Sequence, residues 1–189
     1  MISNQAAPAA VKILVAGGFG VGKTTLVGAV SEVRPLRTEA YLTDAGVGVD
    51  DLDGIDEKET TTVALDFGRI SVSDELVVYL FGTPGQERFW FMWNDLVNGA
   101  LGGVVIADTR RLDSSFASID FFESRRIPFV VAINCFHGRN TRTPDEIRAA
   151  LDLDPHVPLL IGDVRERAYG KETLLALVDH LARLNAPAA

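Results

Sequence analysis

Short apolar runs alternate along the chain with segments in which apolar residues recur every three or four positions. Continuous Val- and Ile-rich runs are typical of strands buried on both faces of a parallel sheet, and the three-to-four spacing predicts helices. Strands are expected at 11–16, 63–72, 76–81, 103–107, 129–133 and 157–161. Helices are expected at 23–33, 87–98, 114–124, from residue 143 onward, and at 171–184.

The order of these elements predicts an α/β, three-layer domain with a mostly parallel six-stranded sheet and helices on both faces. The second and third strands follow one another directly, so they should form a hairpin at Ser73-Asp74 and add one antiparallel edge strand. Residues 34–60 are interpreted as a long, mostly polar connection. Residues 1–10 are expected to be a flexible N-terminus, followed by a single domain at 11–185.

A glycine-rich segment lies between the first strand and the first helix, and it matches the phosphate-loop pattern G-x-x-x-x-G-K-[ST] at residues 17–24. The glycines allow the loop to curl so that its amides face an anion, and the helix adds its positive end. Lys23 would reach the β- and γ-phosphates, the Thr24 hydroxyl would ligate Mg²⁺, and Thr25 would contact the α-phosphate. The predicted nucleotide contacts of this loop are Gly18, Gly20, Val21, Gly22, Lys23, Thr24 and Thr25.

Composition narrows the choice of partner. The 189 residues are 47% apolar and 23% charged, which is the balance of a globular protein, and the net charge is -8. That charge repels phosphate backbones and anionic lipids, so nucleic acid is not an expected partner. The single cysteine, Cys135, excludes an internal disulfide. With no signal-peptide, lipidation or membrane-spanning pattern, the expected location is cytoplasmic, without a direct membrane anchor.

The segment from Phe81 to Phe89, Phe-Gly-Thr-Pro-Gly-Gln-Glu-Arg-Phe, resembles the second switch of the Ras-like small GTPases. The resemblance implies that the Gly85 amide binds the γ-phosphate and that Gln86 is the catalytic residue that orients the attacking water, beside Lys23. A glutamine that is merely exposed is the alternative. Gly82 departs from the family pattern, in which an aspartate at this place holds Mg²⁺; weaker metal retention and faster nucleotide exchange are therefore expected.

The segment Thr60-Thr61-Thr62-Val63-Ala64-Leu65-Asp66-Phe67 resembles the end of the family's first switch. Alignment on Asp66-Phe67 selects Thr62 as a second hydroxyl ligand of Mg²⁺. Thr62 as an ordinary residue of strand entry remains the alternative. The loop before it is rich in acids at 44–59 and is expected to be a solvated face or to host a partner.

The base-binding motif of small GTPases, Asn-Lys-x-Asp, corresponds here to Asn134-Cys135-Phe136-His137. Asn134 is retained, and His137 either accepts a hydrogen bond from guanine or is a loop residue. In the last motif, the resemblance implies that the Val164 amide meets the guanine O6 and that Arg165 stacks on the base. A plain strand-to-helix turn is the alternative for that segment.

Three further segments, at 80–86, 108–111 and 128–134, resemble the conservon-type GTPases of actinobacteria, which are related to the bacterial MglA group. That resemblance implies a signalling role and a roadblock/LC7-type protein partner. Large apolar residues at 89–93 are compatible with such a partner. Phe89, Trp93 and Leu96 form the stripe that a helix buries, so Trp90, Phe91 and Met92 either pack on the next helix or form an interface at the switch surface.

The sequence therefore predicts a small GTP-binding protein that binds GTP or GDP with Mg²⁺ and slowly hydrolyses GTP as a signalling switch. Candidate assisting arginines are Arg37, Arg88 and Arg110, or an arginine from a partner. Two alternatives stay open: a nucleotide-locked interaction module with negligible turnover, and an ATP-using P-loop protein.

Overall fold

The computed structural model describes residues 7–34, 36–42, 61–136 and 142–186; for residues 36–42, 61–64 and 87 it describes the backbone alone. The strands within these ranges are β1 (Ala9–Ala16), β2 (Leu36–Leu42), β3 (Thr61–Ser73), β4 (Leu76–Gly82), β5 (Ala100–Ala107), β6 (Phe129–Asn134) and β7 (Leu159–Gly162). The helices are α1 (Lys23–Val30), α2 (Trp93–Leu96), α3 (Phe116–Ser124), α4 (Pro144–Ala150) and α5 (Arg167–Asn185), with 3₁₀ helices at Glu87–Met92 and Leu112–Ser115.

One sheet joins all of these strands in the order β2-β3-β4-β1-β5-β6-β7. β3 pairs antiparallel with both of its neighbours, whereas β4, β1, β5, β6 and β7 run parallel to one another. The predicted α/β class, with a mostly parallel sheet and one antiparallel strand, is confirmed. The hairpin between β3 and β4 also lies where the sequence predicts it.

The additional strand β2 falls inside the segment that was interpreted as a polar connection. It pairs along β3 from Leu36 opposite Phe67 to Leu42 opposite Thr61. The first residues of β3, from Thr61 onward, have backbone donors and acceptors on the side away from β4, and β2 pairs with them. The antiparallel strand is consequently one position in from the edge, and the described part of the chain contributes seven strands to the sheet instead of the six expected.

Helices cover both faces of the sheet, as predicted. Successive side chains of a strand point to opposite faces, so Ile13 and Val15 of β1 join one apolar cluster while Leu14 and Ala16 join the other. The first cluster includes residues of α1 and α5, and the second includes residues of α3 and α4. Burial of apolar area on both faces holds the parallel strands together.

The helix expected at 87–98 is divided into the 3₁₀ helix Glu87–Met92 and the short α2. Phe89 and Trp93 are buried, as the stripe predicts, and the Trp93 indole donates to the Pro84 carbonyl at 3.0 Å. Gly99 ends the segment with φ 75°, a left-handed conformation that glycine adopts without strain.

Two other features of the helices bear on the predictions. Thr143 caps α4 through a capping box with Glu146, and Pro144 lies in the first turn. Among the described helices, none has both the length and the apolar character that crossing a bilayer requires.

Candidate functional site

The loop between β1 and α1 has the backbone conformation that its glycines permit. Gly17, Gly20 and Gly22 have φ of 137°, 76° and 110°, in the left-handed region that side chains rarely adopt. A Cβ on Gly17 would lie 2.3 Å from the Ile106 carbonyl oxygen. The loop therefore packs closely on β5 while it turns into α1, which points its N-terminus at the same place.

Lys23 extends back along this loop and is buried, with 8% of its surface exposed. Its ammonium donates to the carbonyl oxygens of Gly17 at 2.8 Å and Gly18 at 2.6 Å. Burial lowers the pKa of Lys23 to about 8, and the carboxylate of Asp66 opposes that shift. The positive charge is thus held in a fixed position beside the loop.

A carboxylate lies next to the predicted metal ligand, although Gly82 provides none. The Thr24 hydroxyl donates to Asp66 Oδ2 at 2.5 Å, and Asp66 is buried. Asp66 on β3 is directly opposite Gly82 on β4, and a Cβ on Gly82 would come within 3.0 Å of the Asp66 Cβ and 3.1 Å of its Oδ2. Asp66 therefore occupies, from the neighbouring strand, the space that a carboxylate at position 82 would enter.

The position of the Asp66 carboxylate beside Thr24 was not predicted from the sequence, where Asp66 served only to align Thr62. The position of Asp66 could have been predicted from the pairing of β3 with β4 in the hairpin, which sets Asp66 opposite Gly82. The backbone of Thr62 lies in β3, opposite Tyr41. Its side chain is outside the described part of the structure, so its role as a metal ligand stays a prediction.

These groups line a hollow of about 420 Å³ that also contains Thr83, Pro84, Gly85 and Gln86. Gly85 lies so close to the phosphate loop that a Cβ there would be 2.5 Å from Lys23 Nζ and 2.9 Å from the Gly18 oxygen. The Thr83 hydroxyl is buried and has no hydrogen-bond partner within the described ranges. A buried hydroxyl without a partner costs about 1–3 kcal/mol, which a polar ligand in the hollow would relieve.

Gln86 is half-buried at the mouth of this hollow. Arg88 Nε donates to Gln86 Oε1 at 2.9 Å, and the Arg88 guanidinium lies 4.7 Å from the centre of the Phe89 ring. Of the candidate arginines, Arg88 is the one that the structure places beside Gln86. Arg37 lies on β2, and its side chain is among those not described.

A second hollow, of about 130 Å³, lies at the carboxyl ends of β6 and β7. Its lining shares Gly20, Gly22 and Thr25 with the first hollow, so the two adjoin across the phosphate loop. The Asn134 amide donates to the Val21 carbonyl at 2.9 Å, and its oxygen accepts from the Val164 amide at 3.3 Å. Asn134 thereby ties the phosphate loop to the loop after β7.

Two arginine side chains near the second hollow are paired with carboxylates. Arg165 pairs with Asp163 through its guanidinium, and Asp163 also contributes to the raised pKa of the Cys135 thiol, which is caused mainly by burial. Arg110 is bound to Asp108, whose carboxyl pKa it lowers, and lies over the Phe136 ring. Arg110 is therefore at this end and not beside Gln86. His137 lies outside the described residues.

Trp90, Phe91 and Met92, for which the sequence left both burial and an interface open, differ in how far they are exposed. Trp90 is half-buried, and its ring lies 5.5 Å from that of Trp93, while Met92 is also half-buried. Phe91 is 57% exposed. Because Trp90 packs inward on Trp93, the predicted three-residue patch is reduced mainly to Phe91.

The fold is similar to solved G domains. Against the G domain of the T. maritima FeoB iron transporter, the TM-score is 0.62 at 17% identity, covering 91% of this chain and 99% of that one. Against the cytosolic domain of the same transporter in GDP form I, the TM-score is 0.65 at 15% identity, covering 93% of this chain and 65% of that one. At such identities the likeness shows the fold alone.

Similarity in sequence points to a family. Over 126 residues the chain is 30% identical to an uncharacterized protein of Methanocaldococcus jannaschii, MJ1339, covering 66% of this chain and 69% of that protein. With its phosphate loop and a fold similar to that of G domains, the chain is a nucleotide-binding P-loop protein. A family model described as conserved hypothetical ATP binding protein matches residues 15–184, and the chain belongs to that family.

Proposed function

We propose that this protein binds GTP and GDP together with Mg²⁺, hydrolyses GTP slowly, and acts as a switch. One observation carries the proposal: the Lys23 ammonium, the Thr24 hydroxyl and the Asp66 carboxylate meet in one hollow beside the phosphate loop. An acidic chain needs such a local arrangement to hold a triphosphate, since its overall field repels one.

The donor set at Thr24 fits Mg²⁺, which prefers hard oxygen ligands and keeps several waters. Thr24 would ligate the ion directly, Asp66 would hold it directly or through a water, and Thr62 would be the second hydroxyl ligand. A bound Mg²⁺ would neutralise charge on the β- and γ-phosphate oxygens. Since Asp66 stands in for the carboxylate that Gly82 lacks, the weak metal retention expected from Gly82 is no longer part of the proposal.

Hydrolysis requires a water in line with the γ-phosphorus, and orientation with charge stabilisation accounts for most of the rate. Gln86 would orient that water, the Gly85 amide would donate to the γ-phosphate, and Lys23 would stabilise the charge that develops. Arg88 holds the Gln86 carbonyl oxygen, so it can fix the orientation of the amide. We expect a low intrinsic rate, because Arg88 is engaged with Gln86 instead of pointing at the phosphates.

The choice between guanine and adenine is part of the proposal. The description of the family names ATP, whereas the structural neighbours are G domains. The second hollow favours guanine, because a carboxylate lines it and guanine offers more donors than adenine does. Membership of the conservon-type group, and a roadblock/LC7-type partner near Phe91, remain proposals that rest on the sequence motifs.

Identification of the nucleotide that co-purifies tests the binding, and single-turnover phosphate release tests the chemistry. We expect GDP or GTP to be retained, and Gln86→Leu to slow release at least tenfold with unchanged affinity. Asn98→Leu, which removes an exposed amide outside the hollow, is the control. Bound ADP would favour the ATP-using alternative. Negligible turnover in the native chain and in Gln86→Leu alike would favour the nucleotide-locked module.

A further inference from the structure

The second hollow has the construction of a purine site. One wall is the Phe136 ring, over which the Arg110 guanidinium lies at 4.1 Å from the ring centre. Arg110 is itself fixed by Asp108, which is 1% exposed and accepts from both the Nε and Nη2 of Arg110. A flat ring held in place in this way offers a face on which a purine can stack.

The floor of the hollow is equally well fixed. Asn134 is 3% exposed and bridges Val21 to Val164, as described above. A Cβ on Gly22 would lie 2.9 Å from the Asn134 Nδ2 and 2.8 Å from a Val164 methyl. The space beside the phosphate loop is therefore bounded by closely packed groups. A base attached to a triphosphate in the first hollow would extend into this space.

Asp163 provides the carboxylate of this hollow. It follows β7 directly, and the bond from the Cys135 amide to the Gly162 carbonyl, 2.6 Å long, holds β7 against the end of β6 at this point. The Asp163 side chain is 13% exposed, whereas that of Arg165 is 57% exposed. The Arg165 amide also donates to Asp163 Oδ1 at 2.9 Å, which sets the direction of the carboxylate from the backbone.

We infer that Asp163 determines purine selectivity by accepting the N1–H and N2–H₂ donors of guanine. The inference rests on the proposed nucleotide binding and adds the residue that chooses the base. Adenine offers its exocyclic amine as a donor but presents an acceptor at N1, which a carboxylate repels. Guanine offers two adjacent donors that match the two carboxylate oxygens.

The ion pair with Arg165 is compatible with this role. Because the guanidinium is exposed to water, the pair contributes little to stability and is easily exchanged. Arg165 can leave the carboxylate edge and lie over the base, while the Asp163 backbone keeps the carboxylate in the hollow. Binding of guanine would then exchange one exposed ion pair for two charge-assisted hydrogen bonds.

The test compares the affinities of GTP, ITP, XTP and ATP for the native chain and for Asp163→Asn. Native protein should prefer GTP over ITP, which lacks the 2-amino donor, by about tenfold. In Asp163→Asn, the side-chain NH₂ donor replaces one of the two carboxylate acceptors. This donor can bind the O2 acceptor that xanthine has in place of the 2-amino group of guanine. GTP binding should weaken by about tenfold or more, and XTP binding should strengthen.

Glu166→Gln is the matched control, because it removes the same charge from an exposed residue of the same loop, outside the hollow. Its GTP-to-XTP preference should equal that of the native chain. Equal affinity of native protein for GTP and ITP, or a preference for ATP, overturns the inference without any variant. An unchanged GTP-to-XTP ratio in Asp163→Asn also overturns it. Equal affinity for GTP and ITP, or an unchanged ratio in Asp163→Asn, leaves the proposed binding of guanine nucleotides intact. A preference for ATP would also overturn the guanine part of that proposal, and absence of binding to every nucleotide would overturn it entirely.

Discussion

The two adjoining hollows, which we propose hold the phosphates and the base, are lined by different kinds of groups. We call the first the phosphate end and the second the base end. At the phosphate end, glycine backbone and two buried charged groups, Lys23 and Asp66, are each held by short hydrogen bonds. At the proposed base end, the hollow is lined by a few side chains, of which Arg165 is exposed to water. All nucleoside triphosphates share their phosphates, so the first hollow should supply affinity and the second should supply choice of base.

The largest effect is expected from Lys23→Ala. Loss of the ammonium removes charge-assisted bonds to phosphate, so nucleotide affinity should fall by about 100-fold or more. The loss should be the same for guanine and adenine nucleotides, because Lys23 is at the end that does not distinguish them. Fluorescent-nucleotide titration measures both. Lys171→Ala, on the exposed face of α5, should leave affinity unchanged; a base-dependent loss in Lys23→Ala would contradict the division of roles.

Asp66→Asn should act on the metal and not on the base. Removal of a carboxylate at or next to a metal ligand lowers metal affinity by roughly 10–100-fold. We expect nucleotide release in Mg²⁺ to quicken by about 30-fold, and release in EDTA to remain as in native protein. Asp74→Asn, in the exposed turn between β3 and β4, is the control. Release that still depends on Mg²⁺ to the native extent would exclude Asp66 from the metal site.

The effect of pH is expected to be smaller for each pH unit. The pKa of Lys23 is 10.5 in the unfolded chain, whereas burial lowers it to about 8 in the folded, ligand-free chain. Between these values the unfolded state binds more protons, so ligand-free stability should rise with pH. Phosphate binding requires the ammonium, so nucleotide affinity should fall over the same range, by about tenfold per pH unit. Thermal unfolding and titration at pH 7–10 measure the two opposite slopes; affinity that is flat to pH 9.5 would exclude this account of Lys23.

Phe136→Leu should have the smallest effect. It keeps an apolar side chain but removes the ring, and an aromatic contact of this kind is worth about 0.5–1.5 kcal/mol. Affinity should weaken by about threefold for GTP and ATP alike. Phe116→Leu, on the partly exposed α3, controls for loss of a ring elsewhere. A change in the GTP-to-ATP ratio would show that Phe136 takes part in selection as well as in stacking.

The phosphate loop could be located from the sequence because its determinants are local: glycines, a lysine and a threonine at fixed spacing between a strand and a helix. The capping box at Thr143 is local in the same sense. β2 was missed because its residues pair with residues of β3 that lie far along the chain, from Leu42 opposite Thr61 to Leu36 opposite Phe67. Asp66 was missed for a similar reason, since its function depends on which residue of β4 it faces.

The apolar segment at 89–93 shows a third limit. Spacing correctly selected Phe89 and Trp93 as buried, but the direction of Trp90 depends on the 3₁₀ geometry of Glu87–Met92, which the pattern does not encode. An α-helix has 3.6 residues per turn and a 3₁₀ helix has 3.0, so the same residue points to different sides in the two helices.

The register that sets Asp66 opposite Gly82 limits which residues these two positions accept in this chain. A Cβ at position 82 would lie 3.0 Å from the Asp66 Cβ and 3.1 Å from its Oδ2, so a larger residue there requires Asp66 to move. Such a movement would take the carboxylate away from the Thr24 hydroxyl that donates to it. Any redesign of this site should therefore change the two positions together.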